Sequence, residues 1–484
     1  MALDKNKQEI HVLLVAIASQ GHLNPSLGLA KRLISEGLHV TIATTEIGRH
    51  RMLKSSTITS ATTSIDGIQL LFFSDGLSLD FDRKANLDFY MESINKFGPI
   101  NLSKLIKETY PENGQKKLSC IINNPFVPWV INVAVELEIP CAMLWIQPCS
   151  LYAIYYRFYN NLNSFPNLDN PEMSVEVPGL PLLLKEDLPS FVLPSNPFHS
   201  LAKMVLDVFL NLNKYNWVLG NSFFELEKEA IESMVELCPI RPIGPLVPPS
   251  LLIQSHNQGQ DQDLGFDMWK AEDICIEWLN KQEPSSVIYV SFGSITILSR
   301  KQMEMIAKAL KHVKRPFLWV VKPVDSPLPN GDGELPLGFL EEIKELGLIV
   351  SWSPQTKVLS HDAIGCFITH CGWNSVLEAI VTGVPVIAYP QWTDQPTNAK
   401  LIVDVFHIGS RLRANQDGIV SNDEIEKCIE EIMNGAKSKE VKANAIELTS
   451  AAREAVASGG SSDQNIQLFV EEIIGRNCSR VAAW

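Results

Sequence analysis

The chain has 484 residues, of which 45% are hydrophobic and 20% charged, with a formal net charge of -14. That length exceeds what a single core organises, so two domains are expected, and the composition is that of a globular protein. The acidic balance and the lack of a long Lys/Arg run argue against a nucleic-acid binder, which needs a basic face to neutralise phosphates.

In chain order, the apolar run His11–Ala18 is too short to span a bilayer and carries no cleavage pattern, so it reads as a buried first strand. A helix is predicted over Asn24–Ser35, with Asn24 as N-cap, Pro25 in the first turn and Gly37 after its end. Strands follow at Leu38–Thr44, Leu118–Asn123 and Ala142–Ile146, with a helical pattern between the last two at Trp129–Leu137. Repeated strand–helix–strand units predict a parallel sheet with helices on both faces. Residues 247–270 are rich in Gln, Asp and Gly and read as a linker. Alternation then resumes, with strands at Ser286–Phe292, Phe317–Val321, Leu348–Trp352, Ile364–Thr369 and Val384–Tyr389. The helices between and after them are expected at Lys301–Lys311, Asn374–Val381 and Asn398–Val405. The expectation is an α/β protein with an N-terminal Rossmann-like domain at 1–246, a linker at 247–270 and a C-terminal Rossmann-like domain at 271–458. A final segment, 459–484, carries a helix capped within Gly459–Asp463 and expected to pack back on the N-terminal domain.

The nine cysteines are scattered without a Cys-x-x-Cys, as expected for small buried side chains in a reducing compartment. His370-Cys371 has no matching pair for a metal site, so no metal is expected. A cytoplasmic monomer without stable membrane insertion is the expected form.

Neither Gly-x-Gly-x-x-Gly nor Gly-x-x-x-x-Gly-Lys-Ser/Thr occurs, so the two domains must handle phosphates in another way. His370-Cys-Gly-Trp-Asn-Ser375 lies where a strand ends and a helix begins. A helix N-terminus offers unpaired N–H groups and partial positive charge, outside the carboxyl ends of the strands where ligands bind in an open α/β sheet. Gly372 permits close backbone approach, and His370, Asn374 and Ser375 add polar groups, so the stretch suits a diphosphate without a metal. Trp352, at the end of a strand, offers an indole to a base. Glu378 offers two acceptor oxygens to ribose hydroxyls, and Asp394 with Gln395 suits sugar hydroxyls.

Trp352 to Gln395, with W-x-P-Q, HCGWNS, a Glu and a closing DQ, resembles the signature box of plant UDP-dependent glycosyltransferases. SQGHLNP near the start, VSFGS at 290–294 and GGSS near the end extend the resemblance along the chain. The resemblance implies the GT-B fold, two facing Rossmann-like domains with the site in the cleft, and inverting transfer of glucose from UDP-glucose. It implies that Trp352 stacks on uracil beside Gln355 and that Glu378 holds the ribose. His370, Asn374, Ser375 and Ser294 would hold the diphosphate, with Trp373, Asp394 and Gln395 on the sugar. A terminal Gln in this box goes with glucose over galactose.

The resemblance also makes His22 the general base. An imidazole near its usual pKa of about 6.5 suits that role. The family's usual orienting aspartate is replaced, since the chain reads Ile121-Ile-Asn-Asn-Pro-Phe126 with Asn124 at the aspartate position. An amide cannot stabilise an imidazolium as a carboxylate does. A carboxylic acid, ionised at neutral pH, needs a base less than a phenol near pKa 10. INNPFVPW, AMLWIQP and EDLPSF resemble the subgroup that makes glucose esters of aromatic acids and glucosylates flavonoid-type phenols. A small phenolic acceptor is therefore expected, with O-, ester or C-linkage open. Phe89, Ile94, Phe126, Trp145 and Phe191 are the acceptor-pocket candidates, with Trp392 closing the cleft. The alternatives are a catalytically silent nucleotide-sugar-binding protein and, less compatible with the missing glycine fingerprint, a nicotinamide dehydrogenase.

Overall fold

The structure is a computed structural model describing residues 9–481 apart from 56–57, 60, 84, 112–113, 115, 253–273 and 323–328. Most of the proposed linker, from 253 on, thus lies outside the described residues.

Two sheets organise the chain. The first has eight strands: Ser64–Ile65, Ile68–Phe73, His39–Thr45, His11–Val15, Leu118–Asn123, Cys141–Trp145, Trp217–Gly220 and Arg241–Pro242, in that spatial order. All pair in parallel except the Ser64–Ile65 hairpin strand. The second has six parallel strands: Gly347–Val350, Phe317–Val320, Val287–Ser291, Ile364–Thr369, Val386–Ala388 and Gly409–Arg411. In both sheets the order reverses beside the strand that comes first in sequence among the parallel strands. The crevice at such a switch point is where doubly wound sheets bind ligands. Here it lies between His11–Val15 and Leu118–Asn123 in one sheet, and between Val287–Ser291 and Ile364–Thr369 in the other.

These central strands are buried along their length, which is why they read as continuous apolar runs rather than alternating ones. The last helix, Ser461–Val481, lies against the first sheet: Phe469 packs edge-on to Trp217 at 5.2 Å, and Arg241 pairs with Glu472 at 3.1 Å. Ile466, Phe469 and Ile473 share a core with Val12 and Leu14 of the first strand.

The first helix departs from the sequence expectation. It spans Gln20–Ser35 with extended Ser19 as N-cap, so Asn24 is inside it. His22 consequently stands in the first helical turn and not in a loop. Pro25 is an interior residue of this helix, and having no N–H it leaves the carbonyl of Gly21 without its helical partner. The side chain of Asn374, from the second sheet's site, donates to that carbonyl at 3.2 Å. A residue predicted to start the helix thus creates an acceptor that ties the two halves together.

Candidate active site

The two switch points meet. Besides the Asn374–Gly21 bond, the indole of Trp373 donates to the carbonyl of Asn221 at 2.7 Å, and Phe198 packs on Trp392 at 4.9 Å. Around the edge of the contact, Arg411 Nη1 reaches Asp187 Oδ1 at 2.6 Å, Thr397 Oγ1 donates to the Asp187 carbonyl at 2.8 Å, and Ser190 N–H donates to the Thr393 carbonyl at 2.9 Å.

On the second sheet, the Trp373–Thr382 helix begins at Gly372, which supplies no side-chain cap. Its first N–H groups are therefore open to a ligand. His370 is wedged between two glycines. A Cβ at Gly293, where φ is +72°, would meet the ring at 2.6 Å, and one at Gly372 would meet Nε2 at 2.6 Å. Cys371 between them holds a φ of 65°, a conformation costly for a residue with a Cβ and found where the surroundings enforce it. Burial, with the charge of Lys322 second, lowers the His370 pKa to about 4, so the ring is neutral at physiological pH. Ser294 lies three residues past the strand Val287–Ser291, which neighbours the strand leading to His370, in the same turn as Gly293.

Gln355 is the hub of the nucleotide side. Its Nε2 donates to Ser375 Oγ at 2.9 Å and to Glu378 Oε2 at 2.6 Å, while its Oε1 accepts from Tyr289 Oη at 3.1 Å. Tyr289 is fully buried and also bonds Ser353 at 2.8 Å. Burial raises the Glu378 carboxyl to about 7, an effect that Gln355 opposes. Trp352 stands two residues beyond the Gly347–Val350 strand and is partly exposed.

On the sugar side, Asp394 is buried and accepts from Thr393 Oγ1 at 2.7 Å and Asn398 Nδ2 at 2.8 Å; burial raises its pKa. Gln395 Oε1 accepts the N–H groups of Gln391 at 2.9 Å and Trp392 at 3.2 Å, which leaves its amide nitrogen as the donor for a ligand. Thr393 holds a φ of 55°, a second constrained residue beside the site.

On the first sheet, His22 and Asn124 flank the switch point. Phe126 lies edge-on to the His22 ring at 4.4 Å and 80°. Burial lowers the His22 pKa to about 4, so the sequence expectation of an unperturbed imidazole is corrected.

Four further residues are more enclosed than expected. The Trp373 side chain is 3% exposed and spent on Asn221, so it is not free for a sugar. Ile94 and Trp145 are both fully enclosed in the first domain's core, and the Trp145 indole donates to the Pro148 carbonyl at 2.9 Å, so neither offers a face to an acceptor. Phe191 is likewise buried, stacked on Tyr155, though the N–H beside it at Ser190 reaches the sugar-side turn. Phe89 is 56% exposed and meets Phe81, the one ring contact it makes among the described residues.

Sequence reasoning missed Tyr289, Lys322 and Gln147. The last acts on Asp394 from the first domain and keeps a buried Oε1 without a hydrogen-bond partner. For Gln147 and Lys322 the available signal was positional, each standing two residues past the end of a strand, whereas Tyr289 lies inside the Val287–Ser291 strand and carried none. Among the described residues no group of three or more His, Cys, Asp or Glu is placed to hold a metal ion, and no helix is long and apolar enough to cross a membrane.

A two-sheet α/β molecule with a helix N-terminus, a base-sized indole and a polar turn on one side of a cleft, and a histidine on the other, is built as a nucleotide-sugar transferase. The family described as UDP-glucoronosyl and UDP-glucosyl transferase matches residues 261–455. UDP-glycosyltransferase 84B1 of Arabidopsis thaliana is 47% identical over 474 residues, covering 96% of this chain and 98% of its own. Gallate 1-beta-glucosyltransferase 84A24 of Punica granatum is 43% identical, over 97% of this chain and 89% of its own. The crystal structure of Os79 from O. sativa in complex with UDP superposes with a TM-score of 0.83 at 30% identity, covering 96% of this chain and all of that one. The chain belongs to the plant UDP-dependent glycosyltransferases, with the GT-B fold, and is an enzyme of sugar transfer from a UDP donor.

Proposed function

We propose that this enzyme transfers glucose from UDP-glucose to the carboxylate of a small aromatic acid, with inversion, giving a β-glucose ester. The observation that carries the reading is the pair His22 and Asn124. A buried ring with a pKa of about 4, beside an amide in place of a carboxylate, is poorly equipped to take a phenol's proton. A carboxylate acceptor arrives ionised and has no proton to surrender. The gallate-glucosylating relative supports an aromatic acid as the acceptor class.

In this reading Trp352 stacks on uracil, Gln355 aligns Glu378 for the ribose hydroxyls, and the helix N-terminus with His370, Ser294, Asn374 and Ser375 takes the diphosphate. Asp394 and the Gln395 amide hold the glucose, and the acceptor enters past Phe126 and Trp392. The acceptor oxygen attacks the anomeric carbon from the face opposite UDP, and the electron pair of the breaking bond leaves on the diphosphate. No metal is required in this reading, because the N-terminal dipole and Lys322 supply the positive field and neutral His370 a hydrogen bond. A monomer in the cytoplasm completes the reading; the eight described cysteines, all free thiols, support a reducing compartment.

The test is a screen of UDP-glucose against aromatic acids and phenols, read by mass spectrometry before and after mild alkali. Alkali-labile glucose adducts of the acids are expected. Products formed only from phenols and stable to alkali would defeat the ester assignment.

Two predictions belong to the donor side. Uridine itself does not titrate between pH 6 and 8, whereas Glu378 changes from ionised to protonated as pH falls through about 7. Only the ionised form accepts two hydroxyls, so uridine affinity is expected to weaken about tenfold from pH 8 to pH 6, the fall in ionised fraction for such a group. Glu378→Gln should flatten that slope in calorimetry, and a wild-type affinity independent of pH would contradict the ribose role. Gln395→His is expected to lower the ratio of kcat/KM for UDP-glucose over UDP-galactose by about tenfold, the equivalent of one hydrogen bond. An unchanged ratio would remove Gln395 from sugar selection.

A further inference from the structure

The stretch Glu186-Asp-Leu-Pro-Ser-Phe191 is two-sided. Its apolar residues belong to the first domain: Leu188, Phe191 and the following Val192 are buried in that core. Its polar groups go to the second domain. Asp187 is 4% exposed; its Oδ1 accepts from Arg411 Nη1 at 2.6 Å, and its Oδ2 lies 3.4 Å from Lys400 Nζ. Oδ2 also accepts the Leu184 N–H at 3.1 Å, which fixes the carboxylate against its own backbone. The Asp187 carbonyl accepts from Thr397 Oγ1 at 2.8 Å, and the Ser190 N–H donates to the Thr393 carbonyl at 2.9 Å.

Thr393 and Thr397 bracket Asp394 and Gln395. The helix Gln395–Asp404 starts at Gln395, and both Thr397 and Lys400 stand on it. Gln395 therefore opens a helix that Asp187 holds by a hydroxyl and an ammonium group. On the other side of the pair, Thr393 has a φ of 55°, which its surroundings must enforce, and the Ser190 N–H on its carbonyl is one enforcing contact. Thr393 Oγ1 in turn donates to Asp394 Oδ1 at 2.7 Å. We propose that the segment 186–191 of the first domain positions the sugar-holding pair Asp394 and Gln395, with Asp187 as the residue that fixes the contact. This rests on the reading above that the pair holds the glucose. A carboxylate withdrawn from water needs its cations and donors in place, so Asp187 tolerates little displacement of the helix. Hydrogen bonds to sugar hydroxyls weaken steeply as distance and angle depart from the optimum, so a small shift of the pair is felt in sugar binding. Asp187 is thus a positioning residue, acting on the sugar through the turn it clamps. The uridine, in the same reading, is held elsewhere, at Gln355 and Glu378.

The test compares two ligands that differ only by the sugar. Binding of UDP and of UDP-glucose, without acceptor, is measured by calorimetry on the full-length enzyme and three variants. Asp187→Asn removes the charge and keeps an acceptor for the Leu184 N–H. Thr397→Val keeps the side chain's shape and removes the hydroxyl, and it decides alone if Asp187→Asn does not fold. Gln395→Ala removes a sugar-holding group directly. Asp187→Asn and Thr397→Val should each raise the Kd for UDP-glucose about tenfold, the weight of one lost hydrogen bond, and leave that for UDP within about twofold. A role in fold stability alone would weaken both ligands together or neither, and either result in the folded variants overturns the proposal. If Gln395→Ala weakens UDP-glucose selectively while Asp187→Asn and Thr397→Val do not, the clamp is refuted and the sugar assignment stands. If none of the three separates the two ligands, the sugar assignment itself fails and takes the proposal with it.

Discussion

His370→Ala should lower kcat with UDP-glucose by about 10² to 10³, the loss that follows removal of one preorganised donor from a developing anion. The ring is held for such a task. Gly293 and Gly372 leave no room for a side chain of their own against it, so it cannot swing away. Burial keeps it neutral, with a pKa of about 4, so it contributes a hydrogen bond and not a full charge. The charge that balances the departing UDP comes from Lys322, which lowers the same pKa, and from the N-terminus of the Trp373–Thr382 helix. A group that acts on developing charge changes kcat more than ground-state binding. UDP affinity by calorimetry should therefore fall much less than kcat. A variant within a few-fold of wild-type kcat would take His370 out of leaving-group stabilisation. Gly293→Ala is expected to imitate the loss by displacing the ring, since its Cβ would stand 2.6 Å from it on a backbone with φ +72°.

The second large effect is on stability. Phe469→Ala should destabilise the protein by about 3–5 kcal/mol, the range for deleting a buried aromatic ring. Phe469 is fully buried, edge-on to Trp217 at 5.2 Å, in the core shared by the first strand and the last helix. The Arg241–Glu472 pair beside it is partly exposed on both sides and, like other such pairs, is worth about 0–1 kcal/mol. Glu472 also accepts from the Trp217 indole, so Glu472→Gln is a useful companion that keeps an acceptor there. Urea unfolding followed by Trp fluorescence should separate the two variants clearly. Equal small effects would mean that the last helix adds little to the first domain's core.

Contiguous chemistry was legible from residue order alone. The stretch from Trp352 to Gln395 carries its strand ends, glycine and helix start in one run, so local rules were enough to put Trp352 and His370 just past strands, Ser375 and Gln395 in the first turns of the helices that follow, and Glu378 one turn further on. The buried strands were equally readable, because a parallel sheet covered on both faces demands unbroken apolar runs. The N-cap at Asn24 was misjudged because proline usually marks a helix start. Here Pro25 is tolerated inside the helix because the carbonyl it orphans is satisfied by Asn374, more than 300 residues away in sequence. Trp373, Ile94 and Trp145 were misassigned because an aromatic or aliphatic residue near a cleft reads the same whether it faces the core or the opening.

By itself, then, the sequence determined the alternation that makes two doubly wound sheets, and the box of residues at one helix N-terminus. Both depend on neighbours along the chain. Tertiary structure alone decided the rest. It brought Tyr289 to Gln355, Gln147 to Asp394 and Asn374 to Gly21, and it enclosed His22 and His370 enough to lower both pKa values. Burial, and hydrogen bonds between groups distant in sequence, set the charge of a side chain, and neither is a property of the residue's type or of its immediate neighbours.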